Sequence, residues 1–366
     1  MKIFEFYRPK WHQSSNGGFM KNNACRLKTD HFRFCYCMLI AIFLFSSCRK
    51  DPVEAKNTVN PLISAKNGEA PSVNKKSLAT NVITVVGPIT LNNKSNLIIQ
   101  GDSINGGTKA CITLNYCSNI KITNCRLVNT TFVGINLYKC TSIKIDSNYI
   151  GNVGTGIYVL NSSGIQIVYN QMQNIQGPYP MGQFIQFDNV TGAGNKVQYN
   201  RLENILGYSN PEDAISMYQS SGISTDPISI YGNWIRGGGP SQTGGGIMLG
   251  DGGGNYQIAS SNILVNPGQY GMAISGGSNM QIVNNSIYSI SQPFSNVGLY
   301  YWNQTSTPGT AITISGNKVR FYNGIYGYEN DFWLGTSAPN PIGWLSNIWG
   351  ANINSTLLPA TIITRK

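Results

Sequence analysis

From about residue 82 to residue 333 the chain reads as short runs of alternating apolar and polar positions, broken by Asn, Gly, Ser and Thr. Three runs show the pattern: Ile143-Lys-Ile-Asp-Ser-Asn148-Tyr-Ile, Ile165-Gln-Ile-Val-Tyr-Asn170-Gln-Met and Met280-Gln-Ile-Val-Asn-Asn285-Ser-Ile. A period of two is the signature of a strand with one face buried. Each run ends on an Asn, one intervening residue and an apolar residue. The same Asn recurs at Asn148, Asn170, Asn200, Asn233, Asn262, Asn285 and Asn317, with steps between 22 and 33 residues. A second set of strands lies upstream of each: Gly134-Ile-Asn-Leu, Gly156-Ile-Tyr-Val, Ala214-Ile-Ser-Met, Gly246-Ile-Met-Leu and Gly271-Met-Ala-Ile.

This spacing predicts a coil of parallel strands stacked turn on turn. Helical repeats need a 3.6-residue period, which is absent, and the Leu-x-x-Leu-x-Leu pattern of leucine-rich repeats is absent too. Equivalent turns of a coil stack along its axis, so one residue type can repeat at one turn. Asn suits that stack, because its amide bonds to turn backbone and to the next Asn, and it tolerates left-handed backbone angles.

On these residues the chain resembles the right-handed parallel β-helices of the pectate-lyase-like superfamily, over about Val82 to Trp333. The resemblance implies an all-β, single-stranded right-handed parallel β-helix, a solenoid with Asn-ladder turns and capped ends. That superfamily contains hydrolases, lyases, phage tailspikes and non-catalytic surface proteins, so fold alone does not fix activity. The expected organisation is a signal peptide over 1–47, a lipidated Cys and flexible linker over 48–80, the β-helix over 81–335 and a C-terminal cap over 336–366.

The leader rests on a basic stretch (Arg26, Lys28, Arg33) followed by the apolar run Met38-Leu-Ile-Ala-Ile-Phe-Leu-Phe45 and Ser46-Ser47-Cys48. That apolar run is too short to span a bilayer and suits a signal-peptide core. Small residues before a cysteine resemble a bacterial lipobox, which makes Cys48 the expected lipidation site. The predicted location is the cell envelope, anchored to the outer membrane through lipid.

Locating the charge removes one class of partner. The formal net charge is +11, but between Lys94 and Asp331 acidic and basic residues nearly balance. The excess sits in the leader, the linker and the final residues, so no folded nucleic-acid patch is expected. The only histidines are His12 and His31. Both leave with the leader, which excludes His-based nucleophilic or general-base catalysis and His-ligated zinc in the mature chain.

Aligning Ile112-Thr-Leu with Ile135-Asn-Leu puts Cys117 and Cys140 in one column on adjacent coils. Strands about 4.8 Å apart are within disulfide reach, so a bridge and an unbridged buried stack are both open. Cys111 and Cys125 read as small core residues, with Cys125 at the ladder position before the Asn series begins.

The remaining charge gathers between Gly182 and Asp251, which holds Asp188, Lys196, Arg201, Glu203, Glu212, Asp213, Asp226, Arg236 and Asp251 between charge-free tracts. Strand counting puts Asp188, Gln219 and Asp251 at one strand end on consecutive coils, with Glu212 and Asp213 at the start of the middle one. Inverting glycoside hydrolysis needs two carboxyl groups about 6.5–9.5 Å apart. The expected catalytic pair is Asp213 and Asp251, assisted by Asp188 or Glu212. Similar β-helix glycoside hydrolases use clustered Asp residues, as the resemblance implies, although the polygalacturonase motifs Asn-Thr-Asp, Gly-His-Gly and Arg-Ile-Lys are absent here.

A rival reading makes Arg236 the base of β-elimination, as in similar lyases, with calcium held by Glu212, Asp213 and Asp251. The bland reading of Arg236 is an ion pair with Glu203 on the preceding coil. A third reading, from a different class, is a non-catalytic glycan-binding or surface-structural protein. Under the hydrolase reading no cofactor is expected; under the lyase reading, calcium. Aromatic rings suited to pyranose faces occur at Tyr218, Trp234, Tyr256, Tyr270, Tyr300 and Trp302, and these with Arg201 form the expected substrate-binding set. The expected partners are a polysaccharide or oligosaccharide and a membrane through the lipid anchor, with the protein a monomer.

Overall fold

The computed structural model describes residues 84–178, 181–306, 309–335 and 340–365. The expected leader, Cys48 and the linker over 48–80 lie outside the described residues. Most coils contribute a segment to each of three parallel ladders, described as three sheets, of which the first two are joined by continuous strands. The first sheet includes Gln171–Ile175, Arg201–Glu203, Trp234–Arg236 and Ile263–Val265. The second includes Ile185–Asp188, Ile215–Tyr218, Ile247–Asp251, Tyr270–Ile274 and Val297–Tyr301. The third includes Ser163–Val168, Lys196–Gln198, Ile228–Tyr231 and Asn255–Ser260. Two longer strands, Arg126–Tyr138 and Tyr149–Leu160, turn the corner from the first sheet into the second without interruption.

Pairing between coils is parallel, and its register puts like residues above one another. Ile185, Ile215, Ile247, Met272 and Leu299 form one inward column, all fully buried. Side chains alternate across a strand, so every second residue of the same strands faces outward. The alternation in the sequence is therefore the cross-section of the coil read along the chain.

The Asn ladder stands at the turn from the third sheet to the first. Asn170 donates its backbone N–H and its Nδ2 to Oδ1 of Asn200, at 3.0 and 3.1 Å. Asn200 repeats the pair on Asn233, at 3.0 Å for each. Each Nδ2 also donates inward to a strand carbonyl, as Asn200 does to Ile167 O at 2.9 Å. A buried amide is tolerable only when its donors and acceptors are met, and stacking meets them all. Cys125 holds the first rung, its N–H donating to Asn148 Oδ1. At the other end Asn347 continues the ladder from Asn317, and Ile348–Trp349 pairs with Lys318–Val319. The repeat thus extends one rung into the segment expected to be only a cap. Beyond it Phe332, Trp344 and Trp349 close the end with rings 4.6–5.1 Å apart.

The last residues do something the repeat does not announce. Residues 357–365 run back over the outer face of the first sheet, where Leu358, Ile362 and Ile363 pack with Val128, Tyr149, Val265 and Trp234. Gln171 Oε1 accepts the backbone N–H groups of Thr364 and Arg365 at 2.6 and 2.9 Å. This strap covers that face.

Cys117 and Cys140 share a column as the register predicts, but both are buried free thiols. Each donates to strand carbonyls instead, Cys117 to Leu91 O at 3.5 Å and Cys140 to Leu114 O at 3.3 Å. The side chains leave adjacent coils in the same direction and each meets its own carbonyl, so of the two open readings the structure has the unbridged buried stack.

Candidate functional site

The outer face of the second sheet carries the carboxylates. Pairing aligns Asp188 with Tyr218 and Tyr218 with Asp251. The middle member of the column is therefore Tyr218 and not Gln219. The register shifts between Ser216 and Tyr218, because Gly250 enters as an extra residue with φ +63°. Glycine adopts that left-handed angle without a Cβ penalty, and a bulge of this kind re-aims the next side chain. Buried Gln257 fixes the bulge from the third sheet: its Oε1 accepts Gly250 N–H at 3.0 Å and its Nε2 donates to Ser220 O at 2.6 Å. The outcome is that Asp251 points outward, two coils from Asp188.

Asp213 stands just ahead of the strand Ile215–Tyr218. Its Oδ1 accepts the Gly245 N–H at 3.0 Å and the hydroxyl of Tyr270 in a short hydrogen bond. The Tyr270 ring reaches it by lying over Gly245, where a Cβ would come within 2.7 Å of ring carbon Cδ1. Both donors sit on Oδ1, which leaves Oδ2 as the oxygen free for a proton or a ligand. Burial pushes the Asp213 carboxyl up to about 7; the Tyr270 and Gly245 donors oppose this, and the charges of Glu212 and Asp251 add to it. Burial and then the charge of Asp188 raise Asp251 to about 6. The same charges reach the tyrosines. Burial foremost, then Asp251 and Asp188, raises Tyr218; burial, Asp213 and Asp251 raise Tyr300. Asp188, Asp213, Asp251, Tyr218, Tyr270 and Tyr300 therefore share one electrostatic environment.

Beside them stands an aromatic wall. Tyr270 and Tyr300 meet edge to face at 5.3 Å, Tyr300 lies 6.1 Å from Trp333, and Trp333 meets Trp302 at 5.6 Å. Trp302 and Trp333 are 40% and 42% exposed, which makes their faces available to a ligand. Tyr270 itself is fully buried; it orients Asp213 and offers no stacking face, contrary to the expectation. Tyr256, with a left-handed backbone (φ +53°), starts a strand of the third sheet, beyond the Asp251–Gly254 turn.

Three other expected residues do not belong to this face. Arg236 lies on the first sheet under the strap, bonding to Glu203 Oε1 at 3.2 Å, to Ala360 O at 2.9 Å and to Pro359 O. Its charge ties down the chain end, so it is not free to act as a base. Arg201 and Trp234 share that sheet, the guanidinium 4.9 Å from the indole centroid. Glu212 is occupied as well: Oε2 accepts Ser241 at 2.7 Å and Oε1 accepts Thr243 at 2.6 Å, which pins the glycine-rich loop after Arg236. The set Glu212, Asp213 and Asp251 does not fit calcium, since Glu212 and Oδ1 of Asp213 are already engaged. Among the described residues no three His, Cys, Asp or Glu side chains gather as a metal site.

Two site residues escaped the sequence. Tyr158 donates to Asp188 Oδ2 at 2.6 Å from the coil before it, at a position whose outward parity was readable. Trp333 pairs with Tyr300 at the last regular strand of the second sheet, where the repeat pattern was fading.

The family described as "Right handed beta helix region" matches residues 17–183. The chain is a right-handed parallel β-helix. Among solved structures the β-helix is similar to DFA-IIIase from Arthrobacter chlorophenolicus A6 without its lid. The identity is 13%, the match covers 66% of this chain and 60% of that one, and the TM-score is 0.41. It is similar also to the catalytic domain of a GH87 α-1,3-glucanase in complex with nigerose, at 15% identity, 69% and 54% coverage and a TM-score of 0.39. The β-helix chain thus spans under two thirds of either neighbour's length, and neither likeness assigns a role to any of its residues. No curated protein matches the sequence.

Proposed function

We propose that this β-helix is a polysaccharide-degrading enzyme that hydrolyses a glycosidic bond on the outer face of its second sheet. Asp213 acts as general acid and Asp251 as general base, with Asp188 two coils away in the same column. The observation that carries the reading is geometric. Asp213, held on Oδ1 by Gly245 N–H and the Tyr270 hydroxyl with Oδ2 left over, and Asp251, re-aimed by the Gly250 bulge, lie close enough that the charge of Asp251 acts on Asp213. Burial raises both carboxyls, Asp213 to about 7 and Asp251 to about 6, which brings both into the range where a carboxyl can exchange protons near neutral pH. The more buried Asp213 is assigned the acid role. Oδ2 of Asp213 is the oxygen positioned to give a proton to the leaving group. Asp251, re-aimed by the Gly250 bulge, takes one from water. Trp302 and Trp333 supply faces for sugar rings. No histidine lies among the described residues, so the carboxylates carry the proton traffic alone.

The experiment is a panel of polysaccharides incubated with wild type, Asp213→Asn and Asp251→Asn, read for reducing ends and for unsaturated uronate absorbance. The proposal expects reducing ends without absorbance, from wild type alone. Absorbance that grows with the reducing ends would replace it with a lyase. Sugar binding without either product would leave a glycan-binding protein. Export through residues 1–47 and lipid attachment at Cys48 complete the proposal. Cys48→Ala should then move the protein from the membrane to the soluble fraction, and membrane retention would exclude the anchor.

A further inference from the structure

A second place on the molecule combines exposed rings with unopposed positive charge. At the corner between the third and first sheets lies a cavity of about 570 Å³, lined by Tyr169, Tyr199, Arg201, Trp234 and Arg365 among others. No Asp or Glu lines it. Tyr169 and Tyr199 stack with centroids 5.0 Å apart and planes 5° from parallel. They are 57% and 42% exposed. Their facing sides are taken up by each other, and Tyr199 meets Tyr231 edge to face at 5.4 Å. The ring face left for a ligand is therefore the outer one of Tyr169, above the small Ser147 of the preceding coil.

The turn itself does not explain these rings. Every coil puts a left-handed residue just before the ladder: Gly101, Asn124, Ser147, Tyr169, Tyr199, Gly232, Ser261, Asn284 and Gly316, with φ between +53° and +76°. Small or amide side chains suit that conformation, whereas a bulky ring is unfavourable there. Tyrosine occupies this column on two consecutive coils only, both at the cavity. The next coil has Gly232, where a Cβ would lie 3.0 Å from the Tyr199 ring; the glycine lets that ring lie over it. Arg201 is held over the Trp234 ring and by a 3.4 Å bond from Nη1 to Ile362 O. The strap docks on Gln171 and brings Arg365 to the rim, where its Nη1 donates to Ser147 O and Asn124 Oδ1. Each guanidinium engages carbonyls through Nη1 alone, which leaves its remaining N–H groups for an anion.

We infer that this corner is a second saccharide-binding site, separate from the carboxylate face, that takes a glycan bearing carboxylate or sulfate groups. The outer face of Tyr169, backed by Tyr199, stacks on a sugar ring, and the guanidinium N–H groups that Arg201 and Arg365 do not spend on carbonyls receive its anionic substituent. The inference does not depend on Asp213 or Asp251 being catalytic.

The test is binding of the full-length chain to polygalacturonate, dextran sulfate and neutral dextran by affinity electrophoresis or calorimetry. Wild type should bind at least one acidic polymer more tightly than dextran, and which one identifies the anionic group. Tyr169→Ser/Tyr199→Ser uses the residue that other coils carry at this turn and leaves the charge unchanged; it should weaken acidic binding about tenfold. Arg201→Gln should weaken the acidic polymers and leave dextran unaltered. The Tyr169→Ser/Tyr199→Ser and Arg201→Gln variants touch nothing on the second sheet, so binding here and cleavage there stand or fall separately. Equal binding of dextran, or acidic binding that ignores the double tyrosine variant while its melting temperature is retained, would overturn the site.

Discussion

Replacing Asp213 by Asn keeps the shape of the side chain and its Oδ1 acceptor for Gly245 and Tyr270, and removes only the titratable proton. Burial raises this carboxyl from 3.8 to about 7 in the folded protein. A shift of about three units corresponds to roughly 4 kcal/mol. The sign follows from proton counting. Below the unfolded value both states hold the proton and the group contributes nothing adverse. As pH rises from there the unfolded chain ionises while the folded one does not, so stability falls until Asp213 itself ionises near 7. Asparagine never ionises. Asp213→Asn should therefore match wild type at about pH 3.5 and exceed it by roughly 4 kcal/mol at pH 8, while abolishing hydrolysis. Denaturant unfolding of both proteins across pH reads the difference directly. A difference that does not change with pH, or one favouring wild type at pH 8, would refute the buried-acid argument.

Other substitutions probe the parts around it. Asn200→Ala takes the acceptor from the Asn170 backbone N–H and the side-chain donor from the Ile167 carbonyl, while Asn170 Nδ2 keeps Ile145 O and Val168 O. It should destabilise by about 1–3 kcal/mol, seen as a lower denaturant midpoint, and an unchanged midpoint would remove the ladder from the stability account. Arg236→Ala frees the strap from Glu203, Pro359 and Ala360. It should cost about 1–3 kcal/mol with kcat within about twofold, and a large kcat loss in a stably folded variant would return Arg236 to the chemistry. Trp333→Ala removes a half-exposed ring next to Trp302 and should raise KM about three- to tenfold with little change in kcat; an effect confined to kcat would contradict a binding role.

What the sequence discloses follows from what the coil repeats. The Asn column, the inward Ile and Val positions and the strand alternation are each set by contacts with the neighbouring coil, so they recur along the chain and can be read from it. Asp188 and Asp251 were recognisable as a column for the same reason. The bulge at Gly250 is a single event, and counting strand positions misses it by one residue. Tyr270 looked like a sugar-stacking ring because its use depends on Gly245, which lets the ring through to Asp213. The strap is invisible in the repeat, since residues 357–365 satisfy no period and meet partners such as Gln171 far away in sequence. Without the strap, nothing in the sequence separates Arg236, Arg201 and Trp234 from the carboxylates. The engagement of Glu212 is hidden from the sequence because its partners, Ser241 and Thr243, approach only when the glycine-rich loop folds back.

The pH dependence of kcat/KM on a cleaved polysaccharide tests the central claim most directly. With Asp213 near 7 as the proton donor and Asp251 near 6 as the acceptor, the profile should be a narrow bell centred between those values, as free-enzyme acid and base define its limbs. Asp213→Asn and Asp251→Asn should each flatten it to background. A plateau extending to pH 9, or a bell that survives in the Asp213→Asn protein, would contradict the account.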